Sequence, residues 1–365
     1  MAQEKRKRRK KRTKKRSAIS KVGLFFLILL LVLLVLGITV SAGWLWMNHS
    51  GQSRLSQKQE AVPELMQQAE SEAESEMILE AGSIRYHGKV YTYKKDILTF
   101  LFLGIDKEGE VKASSNLFKG GQADALFLAV LDPGEKKISV IGINRDTMAS
   151  MNVYDKNGRY SGRQTAQIAL SHAYGDGLEE SCENSLDAVS NLFYGLPIHG
   201  YCALNMPVVS KLNDAVGGVD VVIPESANGL EKGWTTGAEV HLKGDAAYRF
   251  IRYRDTAQEQ SAEARLERQK QYLKKFILQA KEAMKQDMTL PLQLYTQITP
   301  YMVTDVTADE AVYLAGQALS YSFGDDDFYS MTGTVKMEEK FEEFYPDETA
   351  LYELVLDVFY EEAAD

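Results

Sequence analysis

The sequence predicts an α/β layered domain preceded by one membrane-spanning helix. Three observations point there. Residues 98–105, 125–131 and 137–143 are apolar runs of strand length, too continuous for strands with one wet face. Amphipathic helical segments alternate with such runs through much of the chain, the pattern of helices packed on a sheet. And the 26 residues from Val22 to Met47 carry no charged side chain.

The N-terminal elements follow from charge and length. Residues 1–21 hold twelve Lys and Arg against the single acid Glu4, while the chain as a whole has a net charge of −9. This basic tail is expected to stay cytoplasmic and to touch anionic headgroups. The uncharged run over 22–47 would span roughly 39 Å as a helix, enough for a hydrocarbon core of about 30 Å. Trp44 and Trp46 stand where an interfacial aromatic belt would lie. Val40-Ser41-Ala42 has the form of a signal-peptide cleavage site, but the apolar run exceeds the usual length of roughly 7–15 residues. The expectation is therefore a single-pass cell-membrane protein with its C-terminal domain extracellular. Residues 48–80, rich in Gln, Glu and Ser, read as an extracytoplasmic tether.

The folded domain is expected over 81–365, with its core at about 96–285 and a helical extension over 286–365. Tyr86 to Tyr91 reads as a short hairpin, and Asp132-Pro133-Gly134-Glu135 as the turn joining the second and third apolar strands. Residues 182–194 form an amphipathic helix with Leu186, Val189, Leu192 and Phe193 on one face. Segments 201–204 and 219–223 are further strands, with a helix over 207–216 between them. Helices are expected at 244–251, 263–286, 307–319 and 347–361. Cys182 and Cys202 are too few for a disulfide framework and read as small buried hydrophobes, although an oxidising compartment would let them pair.

Familiar catalytic signatures are missing: no G-x-S-x-G, Walker loop, G-x-G-x-x-G or H-E-x-x-H occurs, and the five histidines lack metal-ligand spacing. What remains is a set of carboxylates and arginines at element ends. Asp106 and Asp146 follow apolar strands and Asp124 precedes one, positions that suit Mg²⁺ beside substrate phosphates. Arg145 stands next to Asp146. Arg252 and Arg254 would share a face of an extended segment. Arg265, Arg268, Gln269 and Tyr272 lie on one helical face without an intrahelical acid, so an anionic ligand, most naturally a pyrophosphate, is expected there. The only basic run is the cytoplasmic tail and no recognition helix is evident, so nucleic acid is not an expected partner.

Several runs resemble the LytR-CpsA-Psr family in its own order over about 96–280. They are Leu103-Gly104-Ile105-Asp106, Gln122-Ala123-Asp124-Ala125, Asn144-Arg145-Asp146-Thr147, His172-Ala173-Tyr174-Gly175, Leu212-Asn213-Asp214-Ala215-Val216-Gly217-Gly218-Val219-Asp220, Arg252-Tyr253-Arg254 and Arg265-Leu266-Glu267-Arg268-Gln269. The resemblance implies a three-layer α-β-α domain with a mixed central sheet, holding a polyprenyl-pyrophosphate lipid in an apolar tunnel that the 182–194 helix would line or back. It also implies Mg²⁺-assisted transfer of the lipid-linked phosphoglycan, such as a teichoic acid or capsule polymer, to peptidoglycan. Asp106 and Asp124 would then be the Mg²⁺ carboxylates, and Arg145 and Asp146 the catalytic pair. Arg252, Arg254, Arg265, Arg268 and Gln269 would bind substrate. Two rivals use the same residues or none: a lipid pyrophosphatase with water as acceptor, and a non-catalytic membrane regulator.

This chain departs from the family pattern twice. Gln122 stands where an arginine is frequent, and Ala262 where an aspartate usually precedes the arginine matching Arg265. If a nearby acid replaces the second, Asp255 is the first candidate and Glu263 the next. The 106–124 loop also looks longer than usual.

Overall fold

A computed structural model describes residues 43–59, 82–114, 118–155, 157–255, 260–338 and 341–363. The chain divides into two units, Met1–Met47 and Asn48–Asp365. In the first, the described residues 43–47 are helical. The basic tail and the rest of the span expected over 22–47 lie outside the described residues, as do residues 60–80 of the expected tether.

The second unit corrects the other end of that tether. Residues 48–58 are helical (α1) and packed on the domain, with Leu55 only 1% exposed. Leu55 joins a cluster with Leu98, Leu131 and Tyr321. Lys58 lies 3.5 Å from the buried Glu310. A side chain at Gly51 would collide with the backbone of Asp309, so the glycine permits this close approach. The Gln- and Ser-rich composition hid one buried apolar residue and one small one, which suffice to dock a short helix.

Strands β1 (Ser83–Tyr86) and β2 (Lys89–Tyr93) form the expected hairpin. Its turn residues His87 and Gly88 both have positive φ, as a two-residue hairpin turn requires. β3 (Leu98–Ile105), β4 (Ala123–Asp132) and β5 (Lys137–Ile143) are the three apolar runs, paired antiparallel in succession. β6 (Met148–Tyr154) and β7 (Tyr160–Gln167) make a separate ribbon. Then come α2 (Leu170–Ala173), α3 (Glu179–Leu192), β8 (Gly200–Asn205), α4 (Val209–Ala215), β9 (Val219–Val222), β10 (Glu239–Leu242), α5 (Asp245–Arg252) and α6 (Ser261–Gln286).

The region past 286 is not simply helical. Besides α7 (Leu290–Ile298), α8 (Ala308–Ser320) and α9 (Glu348–Phe359) it contains β11 (Met302–Thr304), β12 (Phe328–Ser330), the hairpin β13 (Gly333–Met337) and β14 (Glu342–Pro346), and β15 (Tyr360–Glu362). β11 and β12 are the two edges of the central sheet, whose order is β11-β8-β3-β4-β5-β12. β15 adds to β2. Because β8 lies parallel to β3, and β12 to β5, the six-stranded sheet is mixed.

Both faces of the sheet are covered, as alternate residues of its strands dictate. Leu101, Leu103, Leu126, Leu128, Ile141 and Ile143 pack with residues of α3 and α9. Leu98, Phe100, Phe127, Ile138 and Val140 pack instead with residues of α6, α8 and α1. In α3, Val189 and the following Phe193 are fully buried in the first cluster, with Leu186 and Leu192 partly buried beside them. The two cysteines fall in different clusters: Cys182 with Tyr201 and Ala203, and Cys202 with Val208, Ile298 and Met302. Both are free, the small-hydrophobe reading of them.

Candidate active site

Strand register gathers the acidic residues at one end of the sheet. Ile105 pairs with Ala123 and Leu126 with Ile143, so Asp106, Asp124 and the Arg145-Asp146 pair all emerge there. The loop between β3 and β4 returns tightly. The Asp106 N–H donates to the Gln122 carbonyl at 3.1 Å, and the Gln122 N–H to Asp106 Oδ1 at 2.6 Å. Gly121 makes this return possible, with φ of +93° and a hypothetical Cβ only 2.6 Å from Ile105. Its carbonyl accepts a 2.9 Å hydrogen bond from His172 Nδ1. Burial pushes the pKa of His172 down, so the imidazole is held neutral as a support for the loop.

Three guanidinium groups converge on this end. Arg145 Nη1 donates to Asp124 Oδ1 at 2.6 Å and its Nη2 to Gln122 Oε1. Arg265, in the first turns of α6, donates from Nη1 to Asp124 Oδ2 at 3.2 Å. Arg254 donates from Nη2 to Asp146 Oδ2 at 3.2 Å and to Glu342 Oε2 at 3.1 Å, and from Nε to Ser261 Oγ at 2.9 Å. The expected unpaired helical pair is therefore corrected: Arg265 has the carboxylate of Asp124, supplied from another element and invisible to helical spacing, and Arg268 meets backbone carbonyls. Two buried donors, Arg145 Nε and Arg265 Nη2, still lack a hydrogen-bond partner among the described residues, although Arg145 Nε lies 3.4 Å from Asp146 Oδ1. Buried donors of this kind cost free energy until a ligand accepts from them.

Asp146 lies at the centre, 3% exposed, and also accepts from Gln167 Nε2 at 3.1 Å. Burial raises its pKa; Arg145, Arg254 and Arg265 oppose that rise, and Glu342 adds to it. The same burial depresses the pKa of Arg265, with Arg145 and Arg254 adding to the fall and Asp124 opposing it.

Other expected ligand-binding residues sit elsewhere. α5 runs to Arg252, so Arg252 and Arg254 do not share an extended face; exposed Arg252 lies over the Tyr248 ring, 5.4 Å from its centroid. Arg268 is 2% exposed and donates to the carbonyls of Phe250 and Tyr253 and to Ser226 Oγ. Gln269 Nε2 donates to the Ile251 carbonyl at 3.3 Å. Both side chains satisfy carbonyls that the end of α5 leaves open. They hold the Arg254 segment and do not face the cluster. Burial brings Arg268 down to about 10, with the charge of Arg265 contributing.

The two departures acquire partners. Gln122 turns its carbonyl oxygen to Arg145 and so replaces a cation with a hydrogen-bond acceptor. Near Ala262, which is buried, the carboxylate that meets the start of α6 is Glu342 of β14: the Ser261 N–H approaches Glu342 Oε1 at 3.4 Å. Glu263 points to solvent. Sequence reasoning missed Glu342, which lies in the segment read only as acidic helices. Its one local signal was an acid beginning the run Glu342-Glu343-Phe344-Tyr345, too weak to single out.

The chain is 30% identical over 165 residues to the polyisoprenyl-teichoic acid–peptidoglycan teichoic acid transferase TagU of Bacillus anthracis, covering 44% of this chain and 46% of that protein. It thus spans about half the length of the curated relatives it matches. The crystal structure of Bacillus subtilis TagV superposes with a TM-score of 0.54 at 22% identity, over 72% of this chain and 94% of TagV. TagT bound to LI-WTA gives 0.54 at 19% identity, over 72% and 90%. These two likenesses establish a shared fold. The LytR_cpsA_psr family profile matches residues 53–354, well over half of the chain, and this protein belongs to that family.

Proposed function

We propose that this chain transfers a phosphoglycan, a teichoic acid or capsule-like polymer, from a polyprenyl-pyrophosphate lipid to peptidoglycan at the extracellular face of the membrane. The observation that carries it is the convergence of Arg145, Arg254 and Arg265 with two buried donors that lack hydrogen-bond partners among the described residues. The activity for which TagU is named supports the same reading. We read the helices on both sheet faces as the α-β-α layering of the resemblance, and residues 22–47 as the membrane anchor.

The charges suggest how substrate enters. Three arginines face Asp124, Asp146 and Glu342, with Asp106 at the same end, so the site has no positive charge to spare as it stands. A pyrophosphate diester brings about two negative charges, which a divalent cation entering with it would offset. Asp106 and Asp124 offer the hard oxygen donors that Mg²⁺ takes, and would hold it once Asp124 exchanges an arginine for the metal. When bound, Mg²⁺ neutralises charge on the phosphoryl oxygens. Arg145 and Arg265 would direct their open donors at the same oxygens, stabilising charge as it develops.

The acceptor hydroxyl of the wall attacks the phosphorus bonded to the glycan. A P–O bond forms there, and the bond to the second phosphate breaks, leaving polyprenyl monophosphate. Asp146 takes the hydroxyl proton, a role that its burial-raised pKa favours.

The full-length chain in detergent tests this with a polyprenyl-pyrophosphate-linked glycan and peptidoglycan fragments, both products followed by mass spectrometry. Polyprenyl phosphate should appear with Mg²⁺ and not with EDTA. Arg145→Ala should cut the rate by about a hundredfold or more, with its melting temperature within a few degrees of wild type. Undiminished rates in EDTA or in Arg145→Ala would reject the site. Polyprenyl phosphate without glycan on the peptidoglycan fragment would make water the acceptor and the protein a pyrophosphatase.

A further inference from the structure

Glu342 is a buried carboxylate, 5% exposed, delivered by the C-terminal hairpin into a site otherwise built from residues 106–269. The hairpin is fixed against the site by its backbone. The Phe344 N–H donates to the Asp146 carbonyl at 2.9 Å, Phe344 bridges Thr147, and Gln167 Nε2 donates to the Glu342 carbonyl at 2.7 Å. The side chain then spans two elements. One oxygen takes Arg254 at 3.1 Å, and the other faces the first N–H of α6 at 3.4 Å. No side chain of α6 itself caps that end, because Gln260 precedes it in a left-handed conformation without a side-chain cap bond. A carboxylate is favoured at a helix N-terminus, where N–H groups lack partners. Glu342 thereby bridges Arg254 and Ser261, the first a cluster arginine and the second the start of the helix that carries Arg265.

Its charge matters as much as its reach. Arg145 and Arg265 share Asp124, Arg145 Nε also lies 3.4 Å from Asp146 Oδ1, and Arg254 is divided between Asp146 and Glu342. Without Glu342 the cluster would lose one of the negative charges that oppose an anion, and Arg254 would be left with Asp146, which Arg145 also approaches.

We propose that Glu342 is a positioning residue of this site: it holds Arg254 and the start of α6 in place, and its charge makes binding of a pyrophosphate ligand depend on a divalent cation. This rests on the site reading above.

The test is calorimetric binding of farnesyl pyrophosphate to the full-length chain, in EDTA and in Mg²⁺. Wild type should bind at least tenfold more tightly with Mg²⁺. Glu342→Gln keeps the shape of the side chain and an acceptor oxygen but removes the charge. It should bind at least fivefold more tightly than wild type in EDTA, with the gain from Mg²⁺ reduced by a similar factor. Glu342→Asp retains the charge on a shorter arm and should keep the wild-type dependence on Mg²⁺. A purely structural role would weaken both conditions together and would not reverse the effect in EDTA. Wild-type affinities in Glu342→Gln, or equal loss of Mg²⁺ dependence in Gln and Asp variants, would overturn the proposal. If wild type binds in neither condition, the site reading itself falls and the proposal with it. Should Glu342→Gln not fold, the double variant Arg254→Gln/Glu342→Gln restores the wild-type net charge of the site. It should recover the Mg²⁺ dependence, and failure to do so overturns the proposal equally.

Discussion

At the scale of single residues, burial decides which ionisable groups respond to pH. His199 is 7% exposed, and its Nδ1 accepts a 3.0 Å hydrogen bond from the Thr99 N–H. Burial, with the charge of Lys58 adding, lowers its pKa to about 4. A depressed histidine stabilises the fold fully above its unfolded value near 6.5 and loses that contribution as pH falls through about 4. The loss attributable to His199 over this window is on the order of 3 kcal/mol. Asp146 runs the other way: its raised pKa gives stability that is present in acid and lost as pH rises through the folded value. His199→Asn keeps an acceptor for Thr99 without titrating. Denaturant unfolding at pH 7 and pH 4 should therefore show a smaller drop in the variant than in wild type. Equal drops would mean that the acid sensitivity belongs to other groups.

At the scale of elements, the reach of each signal explains what the sequence made legible. β3 and β5 were readable to the residue because their apolar runs are continuous and, apart from exposed Phe102, almost wholly buried. β7 was not, since Tyr160–Gln167 is mostly exposed and polar, and its pairing with β6 leaves no periodicity to read. Arg145, Asp146, Asp124, Arg254 and Arg265, which the structure brings together, were legible as candidates because they stand near element ends. Arg268 and Gln269 share the helical face of Arg265 but were assigned to ligand, since spacing cannot reveal the α5 carbonyls they meet. α1 was read as tether because one leucine makes no pattern. That helix carries its own prediction. Leu55→Ala removes the buried anchor and should cost about 2–5 kcal/mol, capped by the free energy at which α1 simply undocks. Hydrogen exchange should then speed first in α1 and in α8, to which Arg54 and Lys58 are tied by Asp309 and Glu310. Unchanged exchange in α8 would show the docking to be energetically idle.

At the scale of the whole molecule, the last eighty residues are part of the domain and not an appendage. They supply both edges of the central sheet and one carboxylate of the site. Charge divides the chain more sharply than fold does. Residues 1–21 hold twelve basic side chains and one acid, whereas the remainder of the chain holds 50 of the 51 acids. A basic flank resists translocation, while a long domain crosses largely regardless of its charge. The domain is therefore expected outside and the tail inside. The test is external protease on wall-stripped cells expressing the chain with different epitopes at its two ends. The C-terminal epitope should vanish and the N-terminal epitope should persist on a small membrane-bound fragment. Protection of the C-terminal epitope would refute the orientation, and with it the proposed meeting with peptidoglycan. A mature N-terminus near Gly43 would instead make the apolar segment a cleaved signal. The domain would still lie outside, but the membrane would no longer hold it beside a lipid-borne substrate.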